Sequence, residues 1–146
     1  DESLEIECAR LMKIKGTIAV LMQPMLSGTQ LFIGAKKEKE FGHLIMCGLG
    51  GIYIEVLNDI STSLSPVSYL EADEMITSLK GYKLLTGIRG SEEVNISLFN
   101  ETIRRVSALC KAAPEIFELD LNPLLGNSKN IVAVDARIRI EKEKTN

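Results

Sequence analysis

The chain has 146 residues, 45% of them hydrophobic and 25% charged, with a formal net charge of −3 and no Trp. That is one small domain's worth of chain, with enough apolar residues for a single core. No apolar run approaches the roughly 18 residues of a membrane span, the hydrophobic content is too high for disorder and the Cys content too low for a disulfide scaffold, and the acidic balance argues against nucleic acid as the main partner.

Asp1 to about Ile14 carries acids at its start and Leu4, Cys8, Leu11 and Met12 at helical spacing; it reads as an amphipathic helix stopped by Gly16. Thr17 to Met22 is an unbroken apolar run closed by Gln23-Pro24, the pattern of a strand buried on both faces. After the turn Ser27-Gly28-Thr29, Gln30 to Lys36 reads as a second strand and the charged Lys37 to Glu40 as a solvated hairpin tip. His43 to Cys47 is a third short strand, running through Gly48-Leu49-Gly50-Gly51 into the apolar stretch Ile52 to Leu57. Ser68-Tyr69-Leu70-Glu71 has the spacing of a capping box, and the helix it opens turns Met75, Ile76 and Leu79 one way before Gly81 ends it. A longer helix is predicted from about Ile96 to Ala112, capped by Asn95, with Phe99, Ile103, Val106, Cys110 and Ala113 along one seam. Two strands close the chain: Ile116 to Leu121, ending at Asn122-Pro123, and Ile131 to Ile140, which alternates throughout. The sum is one α+β domain.

Cys8, Cys47 and Cys110 are odd in number, widely spaced and set among apolar neighbours, which fits buried free thiols in a reducing compartment. His43 is the only His, so it completes neither a zinc set nor a nucleophile–base pair, and it reads as a satisfied core or rim residue. Met12, Met22, Met25, Met46 and Met75 read as packing.

Three constellations could carry chemistry. Period-two geometry puts Glu118, Asp120 and Asn122 on one strand face, and Asp135 and Arg137 together on another. Acids inside apolar strands are costly unless paired or bound to a cation. Two carboxylates and an amide oxygen make a hard oxygen set of the kind Mg²⁺ uses when phosphate and water complete its shell; a structural ion pair, of Asp135 with Arg137 or with another Arg, is the other reading. Gly48-Leu49-Gly50-Gly51 exposes backbone N–H groups that can meet a phosphate, or is a plain tight turn, and it matches neither the P-loop nor the dinucleotide fingerprint. Arg89, set between Gly87 and Gly90, is either a phosphate ligand or an exposed loop charge.

Taken in order, Val20 to Met25, Phe41 to Leu57, Leu79 to Gly90, Glu118 to Leu124 and Val132 to Ile138 resemble the ATP-grasp β portion of ADP-forming acyl-CoA synthetases, relatives of the β subunit of succinyl-CoA synthetase. The resemblance implies an α+β ATP-grasp carboxyl-terminal lobe at residues 17–146, a largely antiparallel sheet with two packed helices, preceded at 1–16 by the last helix of the neighbouring lobe. It implies ATP or ADP and Mg²⁺ as ligands, with CoA and the acyl group bound mainly outside this chain. The reaction implied is acid, CoA and ATP to acyl-CoA, ADP and phosphate, reversibly, through a phosphohistidine and an acyl phosphate. The partners implied are the other ATP-grasp lobe and a CoA-binding, phosphohistidine-bearing portion, with no nucleic acid or membrane, in the cytoplasm.

Residue by residue, Val20 to Met25 resembles the segment that lies against adenine, with Gln23 at its end. Gln30 stands where the family commonly has a ribose-binding Glu. Asn122 and Asp135 match the magnesium ligands, and Asp120 replaces the Glu of the relatives' EINPL motif. The nucleotide set is therefore Val20, Gln23, Met25, Gln30, Gly48, Gly50, Gly51 and Arg89, and the metal set Asp120, Asn122 and Asp135. The family's phosphoryl-accepting His sits in an HKSDxGG segment that His43 does not match, so no catalytic residue is expected within this chain. The alternative function is a non-ligase ATP-grasp module of a protein acetyltransferase or a nucleotide or acyl-CoA sensor.

Overall fold

A computed structural model describes residues 2–51, 58–88 and 92–141. Helix α1 (Glu2–Met12) is followed, after an irregular stretch, by the hairpin β1 (Thr29–Glu38) and β2 (Gly42–Leu49) and by β3 (Ile60–Leu64). Helices α2 (Tyr69–Thr77), α3 (Tyr82–Leu85) and α4 (Ile96–Ala112) come next, then strands β4 (Ile116–Gly126), β5 (Ile131–Ala133) and β6 (Ala136–Ile140). Every strand pairing is antiparallel, in the order β3-β2-β1-β4-β5, and β6 also pairs with β4.

Alternation in the strands decides where the core lies. Leu31, Ile33 and Ala35 of β1 and Ile45, Cys47 and Leu49 of β2 are fully buried on one side of the sheet. Against them α2 places Met75 and Ile76, and α4 places Phe99, Ile103, Val106 and Cys110. Both helices start where expected. Ser68 and Glu71 close the reciprocal capping box (Ser68 N–H to Glu71 Oε2, 2.8 Å), and Asn95 Oδ1 accepts from the Leu98 N–H at 3.0 Å. His43 is buried and donates through Nε2 to the Ile116 carbonyl at 2.6 Å, the satisfied core residue expected. Among the described residues no helix is long and apolar enough to cross a membrane.

Several expectations are corrected. Residues 17–22 form no strand: no described strand pairs with them, and Ile18 and Leu21 are 95% and 82% exposed. An apolar β-branched run becomes a strand only where a partner strand offers its hydrogen bonds, and here the sheet has none for it. Met12, Met22 and Met25 are accordingly exposed rather than packed, whereas Met75 is buried. Cys8 is only half-buried, because α1 buries none of its residues; Cys47 and Cys110 are buried free thiols.

The strand from Ile116 does not stop at Asn122-Pro123 but runs on to Gly126. Leu31 pairs with Leu124 and Ile33 with Leu121, so β4 takes one more residue than β1 there, a bulge that accommodates a proline within a strand. Conversely, the alternating run from Ile131 to Ile140 breaks at Val134-Asp135 into β5 and β6. The stretch Ile52 to Leu57 lies outside the described residues.

Candidate functional site

The sheet face away from α2 and α4 carries the polar residues singled out above. Pairing across β1, β4 and β6 sets Gly34 opposite Asp120 and Asp120 opposite Arg137; one step along, Lys36 faces Glu118 and Glu118 faces Arg139. The break between β5 and β6 brings Asp135 to this neighbourhood, and the Val134 N–H donates to the Pro123 carbonyl at 3.0 Å, tying that break to the β4 bulge at Asn122. Asp120, Asn122 and Asp135 therefore belong to one corner of the sheet, with Asn122 and Asp135 exposed and Asp120 half-buried.

The electrostatics of that corner are unbalanced. Burial raises the Asp120 carboxyl above its usual range, Arg137 pulls it down, and the charges of Asp135 and Glu118 push it up again. Its Oδ1 is buried and has no hydrogen-bond partner among the described residues. Arg137 Nε donates instead to Asp135 Oδ2 at 3.2 Å. Among the described residues no three His, Cys, Asp or Glu side chains converge as a self-sufficient cage. Two carboxylates, one with an orphaned oxygen, and an amide fit a hard divalent cation whose remaining ligands come from phosphate and water.

Farther along the same face lies a groove of about 380 Å³ lined by Gln23, Pro24, Met25, Leu26, Leu125 and Val132 to Val134. Register links it to Gln30, which sits opposite Leu125, itself opposite Val132. From Asp120 to Leu125 is roughly 15 Å of strand. Gln23 and Met25 thus line the groove, Met25 as an exposed rim, while Val20 is half-buried and outside the lining.

Gly50 and Gly51 meet Gln30: the Gly50 N–H donates to the Gln30 carbonyl at 2.7 Å, and a Cβ on Gly51, whose φ is +62°, would lie 2.5 Å from Gln30 Oε1. Gly48 is separate from them. A Cβ there would come within 2.4 Å of the Asp59 carbonyl oxygen, so its glycine is explained by close strand approach. Arg89 lies outside the described residues.

Asp59 is a residue the sequence reading missed. It is 3% exposed, and its two carboxylate oxygens accept from the Lys80 N–H (2.8 Å) and the Gly81 N–H (2.7 Å). Its charge also helps to push the Cys47 thiol, already raised by burial, up to about 12. A single Asp between an apolar stretch and a short strand gives no pattern; only the fold supplies its partners, twenty-odd residues on.

Residues 5–140 match the ATP-grasp domain family, and the chain belongs to it. Among characterised relatives it is 45% identical over 128 residues to the 4-hydroxybutyrate–CoA ligase (ADP-forming) of Nitrosopumilus maritimus, covering 86% of this chain and 18% of that one. It is 38% identical over 123 residues to the β subunit of acetate–CoA ligase (ADP-forming) I of Pyrococcus furiosus, covering 84% of this chain and 52% of that subunit. The fold superposes on acetyl-coenzyme A synthetase 1 of Ca. Korarchaeum cryptofilum with coenzyme A, acetyl-coenzyme A and a phosphorylated phosphohistidine segment, at TM-score 0.83 and 32% identity over 96% of this chain and 66% of that one. The same synthetase in complex with coenzyme A and Mg-AMPPCP gives TM-score 0.76 and 39% identity, covering 80% of this chain and 55% of that one. The chain thus spans about a fifth to a half of the length of these curated relatives.

Proposed function

We propose that this chain is the nucleotide- and magnesium-binding lobe of an ADP-forming acyl-CoA synthetase, residues 17–146 forming the carboxyl-terminal ATP-grasp lobe and 1–16 the last helix of its neighbour. The observation that carries the reading is the orphaned Asp120 oxygen beside Asp135 and Asn122, on the same open face as the groove at Gln23 and Met25. The ligases among the relatives, and Mg-AMPPCP in one of the structural neighbours, support it.

On this reading the apolar groove takes the adenine, with Val20 earlier in the same segment, and Gln30 meets the ribose hydroxyls. A glutamine offers one acceptor and one donor where a carboxylate would offer two charged acceptors, which weakens that contact. Gly50 and Gly51 leave backbone close to the nucleotide, and Arg89 completes the phosphate contacts. Asp120, Asn122 and Asp135 would hold Mg²⁺, which neutralises phosphate charge as it develops in transfer. The acyl and CoA chemistry, including the phosphohistidine, belongs to partner portions. The substitution at Gln30 favours the second reading, a module that binds nucleotide in an acetyltransferase or sensor without ligase turnover.

The test is Asp135→Asn in the intact protein. Turnover falls at least about tenfold, equivalent to roughly 1.4 kcal/mol, while folding stability stays within about 1 kcal/mol of wild type because the Arg137 pair is exposed. Unchanged Mg²⁺-dependent turnover would leave only the structural ion pair.

A further inference from the structure

We infer that Arg137 is the resident counter-ion of the carboxylate corner, occupying Asp135 until a divalent cation displaces it; this rests on the metal reading above. Arg137 sits directly across from Asp120 in the β4–β6 register and donates Nε to Asp135 Oδ2 at 3.2 Å. It thus places one positive charge between the two carboxylates that the metal reading assigns to the cation. The charges of Asp135 and Glu118 act against that of Asp120, and the Arg137 guanidinium offsets them there.

The two arginines of β6 differ in how freely they can move. Arg139 lies over the Phe117 ring, 4.0 Å from its centre, and pairs with Glu118 and Glu141. Arg137 has Asp135 as its hydrogen-bond partner among the described residues, and its side chain is 80% exposed. A divalent ion at Asp135 competes for the carboxylate whose Oδ2 Arg137 holds, and repels the guanidinium once there. Release costs Arg137 little, because water receives it. The free metal ion must therefore compete with an internal cation, whereas a metal–phosphate ligand brings negative oxygens that can pair with the displaced guanidinium. Arg137 thereby biases the site toward metal already carried on a phosphate ligand.

The experiment is a titration of the intact protein with Mn²⁺ alone at low ionic strength, read by the loss of the free-ion paramagnetic signal. Wild type, Arg137→Gln, Arg139→Gln and Asp135→Asn are compared. Arg137→Gln binds Mn²⁺ about threefold more tightly than wild type, the scale of an exposed ion pair. The gain shrinks at 0.5 M salt, as screening requires, and Arg139→Gln shows less than half of it. Equal or weaker Mn²⁺ binding by Arg137→Gln overturns the inference, as does an equal gain in Arg139→Gln, which would mean a general field and not a displaced partner. If wild type and Asp135→Asn bind Mn²⁺ alike both with and without ADP, the metal reading itself fails and this inference with it.

Discussion

The buried carboxylate of Asp59 lies close enough to the buried thiol of Cys47 to act on it, and each group has a measurable consequence. Burial, then the Asp59 charge, lifts Cys47 to about 12, and burial lifts Cys110 in the same direction. A thiol is reactive only as thiolate. Under native conditions an aromatic disulfide reagent should therefore titrate Cys8 promptly, and Cys47 and Cys110 only after unfolding; Cys47 reacting as fast as Cys8 would contradict the packing. Asp59 holds two consecutive backbone N–H groups. Asp59→Ala leaves both part-buried N–H groups without that acceptor and should cost about 3 kcal/mol in urea unfolding, with Asp59→Asn, which keeps one acceptor, costing less. A loss below about 1 kcal/mol for the alanine variant would show that water or another group replaces the carboxylate.

Elements with local signals were legible from the residues alone. The cap of α2 lies within four residues, Ser68 to Glu71, and that of α4 in Asn95 with its seam from Phe99 to Cys110; both helices begin where those residues place them. Ser68→Ala should cost about 1 kcal/mol. The Ser68 hydroxyl and N–H hold Glu71 below its usual range. Because the folded value is the lower one, this contribution is present above the ordinary glutamate range and is lost as the pH falls from there through the lowered folded value. The gap between wild type and Glu71→Ala in thermal unfolding should therefore narrow in acid; a gap constant from neutral pH to pH 2 would contradict the capping box. Strands were less legible, because strand identity depends on a neighbour. Thr17 to Met22 has the composition of a strand and no partner strand among the described residues, while Pro123 looks like a stop and sits in a bulge that β1 bridges. For the candidate site, the acids on β4 and after β5 were visible in the alternation. What alternation could not supply was the register that sets Asp120 against Arg137, the break at Val134-Asp135, or the hold of Asp59 on residues 80 and 81.

At the scale of the whole molecule, one sheet has a face covered by helices and a face left open, and every polar residue assigned to nucleotide or metal among the described ones, apart from the strand-packed Gly48, lies on or beside the open one. Ile18, Leu21, Met25 and Ile140 also remain exposed, and the chain spans only part of the length of its relatives. The purified chain by itself should accordingly form no acyl-CoA from acid, CoA and ATP; steady ADP-forming turnover by it would overturn the assignment of the remaining chemistry to partner portions. The central claim is that the open face binds a magnesium nucleotide along β4, base at Leu125 and phosphates at Asp120. Amide-resolved NMR titration of the chain with ADP, first without and then with Mg²⁺, measures this most directly. ADP should shift Gln23, Leu125, Val132 and Ala133, and adding Mg²⁺ should shift Asp120, Asn122 and Asp135 further while Phe99 and Ile103 on the covered face stay still. Shifts confined to the helices, or an Asp120–Asp135 corner indifferent to Mg²⁺ in the presence of ADP, would contradict it.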